Sequence, residues 1–188
     1  MSTNAADATA AEADDRGMDV DVVIEIPKDS GVKYELERAA EGGGMRPRVD
    51  RILSCAMTYP GNYGFVEQTL ADDGDCTDVL VMNEQPLQPG SVICCRVIGM
   101  LTMEDEEGTD HKILAVPAAH VDARYRGLMN IDDVESSVLR RVEHFFEHYK
   151  KTDEPTRWSK VSGFLPRERA LDVLHGDRVR WTSRLKSV

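Results

Sequence analysis

The chain has 188 residues, 41% hydrophobic and 30% charged, enough for one packed domain and too few for two comfortable ones. Acids outnumber bases 34 to 23 for a net charge of −11, which disfavours a nucleic-acid partner held by phosphate electrostatics. No apolar run approaches the ~20 residues of a membrane span, and Cys55, Cys76, Cys94 and Cys95 have no C-x-x-C spacing, so a reduced, cytoplasmic protein is expected.

Residues 1–17 are rich in Ala and Asp with no apolar stretch, which predicts a disordered acidic tail rather than a signal peptide, leaving 18–188 as a single domain. Val20, Val22, Ile24 and Ile26 alternate with Asp21, Val23 and Glu25, the period of a half-buried strand, and Pro27 ends it. Lys33–Glu37 alternates again, Glu41–Gly44 reads as a turn, and Val49–Ser54 opens the next strand. Further strands are expected at Asp78–Met82, Val92–Leu101 and Lys112–Val116. Val134, Val138, Leu139, Val142, Phe145, Phe146 and Tyr149 then recur at three- and four-residue steps, predicting a helix over 133–151. A shorter helix from Pro166 to Leu174, closed by Gly176, follows. Short strands followed by helices give an α+β fold, mainly β, with a small β-barrel core and two flanking helices.

The charge is unevenly spread. Residues 72–110 hold ten acids against Arg96 alone, while 155–188 hold eight bases against three acids. Asp73, Asp75 and Asp78 lie within six residues around Gly74, a density of hard oxygen donors suited to Mg²⁺, Mn²⁺ or Ca²⁺. An EF-hand is rejected because its sixth position, where the turn needs Gly, holds Asp78, and Val79–Val81 is strand-like. A second acidic cluster, Glu104 to Asp110, occupies a hairpin tip. If a barrel brings both clusters to one rim, that many carboxylates cannot all stay ionised without cations. Lys33, Arg51, Tyr59, Tyr63, Lys112, Tyr149 and Lys150 form a cationic and phenolic set, and such donors beside divalent ions match a phosphate substrate. His144-Phe145-Phe146-Glu147-His148 fits the H-x-x-E-H zinc pattern but lacks an evident third ligand. Two classes stay open on these residues: a phosphoryl-transfer enzyme, or a non-enzymatic OB-like module binding Ca²⁺ or a protein.

Val23-Ile-Glu-Ile-Pro27, Lys33-Tyr34-Glu35, Val49-Asp50-Arg51, Tyr59-Pro-Gly-Asn-Tyr-Gly64, the D-x-D-x-x-D of 73–78, Pro86-Leu-Gln-Pro-Gly90 and His144-Phe-Phe-Glu-His-Tyr-Lys150 resemble the soluble family I inorganic pyrophosphatases, in family order over about residues 18–165. The resemblance implies an OB-like five-stranded barrel with hairpin extensions, hydrolysis of pyrophosphate to two phosphates, several Mg²⁺ per site with Mn²⁺ as a substitute, and, for a compact bacterial-like chain, a homohexamer. It implies Asp73, Asp78, Asp105 and Asp110 as metal ligands, with Asp78 bridging two ions, and Asp75 as the base that orients or deprotonates the attacking water. Lys33, Arg51, Tyr63, Lys112, Tyr149 and Lys150 would hold the phosphates, with Glu25, Glu35 and Tyr59 in support. Cys76 departs from the family, which commonly has Pro there; it should loosen the metal loop or leave it oxidisable.

Overall fold

Val20, Val22, Ile24 and Ile26 are all buried in strand β1 (Asp19–Ile26), as their alternation requires, and Val23 is buried on the opposite face as well. The structure, a computed structural model, describes residues 19–39, 43–151 and 156–186. The acidic tail lies outside these residues, as does the first half of the turn at 41–44.

The remaining strands are β2 (Val32–Arg38), β3 (Met45–Ile52), β4 (Asn62–Val66), β5 (Thr77–Val81), β6 (Val92–Asp105), β7 (Gly108–Thr109), β8 (Lys112–Pro117) and β9 (Ser159–Pro166). Pairing runs β1–β4–β5–β8–β6 and β6 returns to β1, so five strands close into a ring. Closure leaves the barrel without free edges. Only β5–β8 is parallel within the ring. The 14-residue β6 serves as its spine: its start pairs with β1, its middle with β8, and its far half with β9 and β7. β2 and β3 form a separate ribbon, in which Lys33 faces Arg51.

Alternate residues of the strands feed two cores. Leu80, Leu114, Ile98, Leu101 and Ile26 pack with Val142, Phe145 and Phe146 of helix α1 (Ser136–His148). Val79, Val81, Ile113, Ala115, Val22 and Ile24 pack with Ala170 and Leu174 of helix α2 (Arg167–Leu185). Burying both faces explains why the ring strands read as near-continuous apolar runs. Gly64 is forced: a Cβ there would lie 2.0 Å from the carbonyl oxygen of Val23 on the neighbouring strand.

α2 corrects the sequence expectation of a helix stopping at Leu174. It runs through Gly176 to Leu185 because tertiary bonds hold its second half. The Asp177 carboxylate accepts from Thr77 Oγ1 at 2.6 Å, its carbonyl accepts from Leu70 N at 3.1 Å, and Arg180 Nε donates to Leu70 O at 2.9 Å. Those bonds outweigh the ~1 kcal/mol that Gly costs inside a helix. β3 likewise begins at Met45, ahead of the expected Val49, and β4 and β9 were absent from the sequence reading. Among the described residues, no helix is long and apolar enough to cross a membrane.

Candidate active site

The carboxylates of both acidic clusters meet at one end of the ring, because β5, β6 and β8 deliver them side by side. Asp73 and Asp75 sit on the loop between β4 and β5, Asp78 on β5, Asp105 at the end of β6, and Asp110 just before β8. The loop is shaped by its own backbone. Gly74 adopts φ +96°, the Asp73 carboxylate accepts from Asp75 N at 3.0 Å, and Asp75 O accepts from Ala71 N at 2.8 Å. The Asp177–Thr77 and Arg180–Asp72 contacts tie this loop to α2.

Two lysines enter among the carboxylates. Lys112, 3% exposed, places its Nζ on both Asp78 and Asp110 and 5.5 Å from the Tyr63 ring centroid. Lys150, from the end of α1, pairs with the buried Asp105 and lies 3.9 Å from Glu106. The carboxylates therefore do not depend on external cations alone, as the sequence reading supposed; part of their repulsion is met from within. Burial disfavours the Lys112 ammonium, but the charges of Asp78 and Asp110 reverse this and hold it firmly protonated. Burial raises the Asp110 carboxyl and the charges of Asp78 and Asp105 add to it, with Lys112 opposing. Asp105 is lowered despite burial, by Lys150 and by the Glu107 amide.

Glu25, Lys33, Glu35, Tyr63, Asp75 and Asp78 line a groove of about 350 Å³, and Asp78 also borders a smaller cavity with Asp73 and Asp110. Asp75 is raised by burial and then by the charges of Asp73 and Asp78, which makes it a stronger base than an ordinary carboxylate. The Glu25 carboxyl is pushed up to about 7, chiefly by burial, although its Oε1 accepts from Leu36 N at 2.9 Å. Lys33 binds Glu35 at 2.7 Å and Asp50 at 3.2 Å; these partners outweigh burial and raise it.

The phenols form a wall. Tyr59 lies 5.6 Å from Tyr63 and 4.7 Å from Phe145 between ring centroids, and Tyr149 stacks on Phe145 at 4.9 Å. Burial raises all three hydroxyls, and the charge of Asp78 raises Tyr63 further. They remain neutral donors at physiological pH.

Of the sequence-derived candidates, Lys33, Tyr63, Asp75, Asp78, Glu25 and Glu35 line the groove, Asp73 and Asp110 border the smaller cavity, and Arg51, Tyr59, Asp105, Lys112, Tyr149 and Lys150 line neither. Arg51 reaches the groove through Asp50, whose carboxylate takes Arg51 Nε at 3.0 Å beside Lys33. Sequence reasoning missed Asp50 as a linker, although its place beside Arg51 and across the ribbon from Lys33 was a usable signal. It also missed Asp177, which no local pattern could reveal from 100 residues away.

The donor set fits hard divalent ions: all of Asp73, Asp75, Asp78, Asp105 and Asp110 offer carboxylate oxygen, with Asp75 and Asp110 raised by burial and then by neighbouring carboxylates. Among the described residues, no three of them bring oxygens within 4.8 Å of one another, since the lysines occupy the space between. The H-x-x-E-H motif carries no metal geometry. Glu147 accepts from Val161 N at 2.6 Å, while His148 Nδ1 lies 2.9 Å from His144 O.

Comparison with known proteins gives a consistent result. The inorganic pyrophosphatase family model matches residues 22–182. Curated inorganic pyrophosphatases of Campylobacter jejuni and Aquifex pyrophilus are 46% and 49% identical, over 82% and 83% of this chain and 87% and 85% of theirs. The Helicobacter pylori inorganic pyrophosphatase structure superposes with a TM-score of 0.81 at 43% identity, covering 87% of this chain and 94% of that one. The Thermus thermophilus inorganic pyrophosphatase structure gives 0.80 at 41%, covering 88% and 92%.

Proposed function

Since the chain belongs to the inorganic pyrophosphatase family and is a hydrolase of pyrophosphate, we propose that the reaction runs in the groove at the acidic end of the barrel, with Mg²⁺ as the working ion and Mn²⁺ as a substitute. The observation that carries this reading is Lys112, a buried ammonium held between Asp78 and Asp110 beneath the Tyr63 ring. One end of that arrangement attracts cations and the other attracts phosphate oxygens.

Asp73, Asp78, Asp105 and Asp110 would hold the ions, with Asp78, which borders both cavities, as the bridging ligand. Bound divalent ions supply charge neutralisation for the polyanion and acidify the attacking water. Asp75 takes the proton of that water as its oxygen bonds to one phosphorus. The bridging P–O bond breaks, and its oxygen leaves on the second phosphate. Lys33, Arg51, Lys112 and Lys150 offset the charge of the two phosphates, and the neutral hydroxyls of Tyr63 and Tyr149 donate to their oxygens. Glu35 holds Lys33, Glu25 holds the backbone of β2 at Leu36, and Tyr59 braces the phenol wall.

Asp75→Asn keeps the loop's size and should cut turnover by on the order of 10²–10⁴. Near-wild-type turnover would remove the base assignment. Four free cysteines support a reducing, cytoplasmic setting. The exposed Met45, Val49 and Ile52 of β3 support burial in a homohexamer; a monomer mass by light scattering would reject it.

A further inference from the structure

A second groove, about 730 Å³, shares no lining residue with the active-site groove and contains Asp19, Asp21, Glu67, Cys94, His120 and Arg178. Three of these come from three separate elements. β1 pairs with β6 so that Asp21 faces Cys94 and Asp19 faces Arg96. Directly opposed and diagonal residues of an antiparallel pair share a face, which puts Asp19 and Cys94 side by side. The turn after β8 supplies His120. It is pinned to the same strand by Ala118 N donating to Cys94 O at 3.0 Å, and tightened by Val121 N donating to Ala118 O at 2.8 Å. A carboxylate oxygen of Asp19, Sγ of Cys94 and a ring nitrogen of His120 all lie within 4.8 Å of one another. Among the described residues this is the one trio of His, Cys, Asp or Glu so gathered.

We infer that Asp19, Cys94 and His120 form a binding site for Zn²⁺, or a divalent ion of similar borderline softness, separate from the pyrophosphate groove. The donor types decide the ion. Imidazole nitrogen, thiolate sulfur and one carboxylate are the ordinary zinc set, and three protein ligands leave a fourth position open to water. Mg²⁺ has little affinity for thiolate and is drawn instead to the all-oxygen site. The two grooves thus sort metals by ligand softness. Arg96, opposite Asp19 on the strand pair, sends Nη1 to Arg126 O at 3.1 Å. Without metal, partial burial and the charges of Asp19 and Asp21 keep the Cys94 thiol protonated. The same negative charges favour an incoming cation, so binding displaces the thiol proton. The groove gives the ion an open path, and nothing in the site depends on the catalytic assignments.

The test is alkylation of Cys94 in the full chain, followed by peptide mass spectrometry in excess Mg²⁺, with Cys76 tracked in the same digest. Equimolar Zn²⁺ should slow Cys94 alkylation by about tenfold or more while Mg²⁺ alone has no effect. The protection should disappear in His120→Ala and in Asp19→Asn, both of which should still hydrolyse pyrophosphate, the sign that they are folded. Co²⁺ should give thiolate-to-metal charge-transfer absorption that survives Cys76→Ser and is lost in Cys94→Ser. Unprotected Cys94, or protection of equal size in His120→Ala, overturns the site.

Discussion

Replacing Lys112 by Met tests the idea that the protein carries its own counter-ions for the metal carboxylates. Met keeps most of the length and apolar stem of Lys, so the contacts with the core are largely retained. What is lost is the charge between Asp78 and Asp110, whose side chains are 27% and 14% exposed, at a position only 3% exposed itself. Removing one partner of a buried pair costs roughly 3–5 kcal/mol. The partial exposure of Asp78, and the readiness of Asp110 to take a proton, place the expected loss near the lower end, about 3 kcal/mol. At about 2–4 °C per kcal/mol for a chain of this size, the metal-free protein should melt about 6–12 °C below wild type. Divalent ions replace the missing charge. Titrating Mg²⁺ should therefore raise the variant's melting temperature by more than it raises the wild type's, while turnover stays low because a proposed phosphate-binding group is gone. Differential scanning calorimetry in chelator and across an Mg²⁺ series measures both effects. A variant melting within about 2 °C of wild type in chelator, or equal Mg²⁺ increments for the two proteins, would refute the reasoning.

Two further perturbations address other parts of the site. Asp177→Ala leaves Thr77 Oγ1 without its acceptor and frees the loop from α2, so it should cost about 1–3 kcal/mol and raise the Mg²⁺ concentration for half-maximal turnover; an unchanged metal midpoint would show that α2 does not position the loop. For Glu25 the folded carboxyl titrates at about 7 against 4.5 for the unfolded chain. The folded state binds this proton more tightly, so stability falls as pH rises between those values, by up to roughly 3 kcal/mol. Glu25→Gln, which keeps the acceptor for Leu36 N, should flatten that part of the metal-free stability profile. Denaturant midpoints at pH 5 and pH 8 that shift equally in the two proteins would discount the buried carboxyl.

Much of the fold was legible where one face of an element decides its burial. The alternation of Val20 to Ile26 and the helical spacing of Val142, Phe145 and Phe146 both led to the observed elements. The closing pair of the ring was not, since β1 and β6 lie some seventy residues apart and no local pattern records their register. β9 was missed for a related reason: its burial alternates weakly, and its place is set by β6. The end of α2 was misjudged because Gly176 carries a stop signal that only the distant contacts of Asp177 and Arg180 override. At the site, residue types and order pointed to metal and phosphate, yet the position of Lys112 between two proposed metal ligands follows from β8 lying beside β5 and emerged only in three dimensions.

The most direct test is phosphate release from pyrophosphate by the purified chain, with Mg²⁺ and then with excess chelator. The account predicts turnover that appears with Mg²⁺, stops on chelation and returns when the ion is restored. Release that is absent with Mg²⁺, or that continues undiminished in chelator, would contradict it.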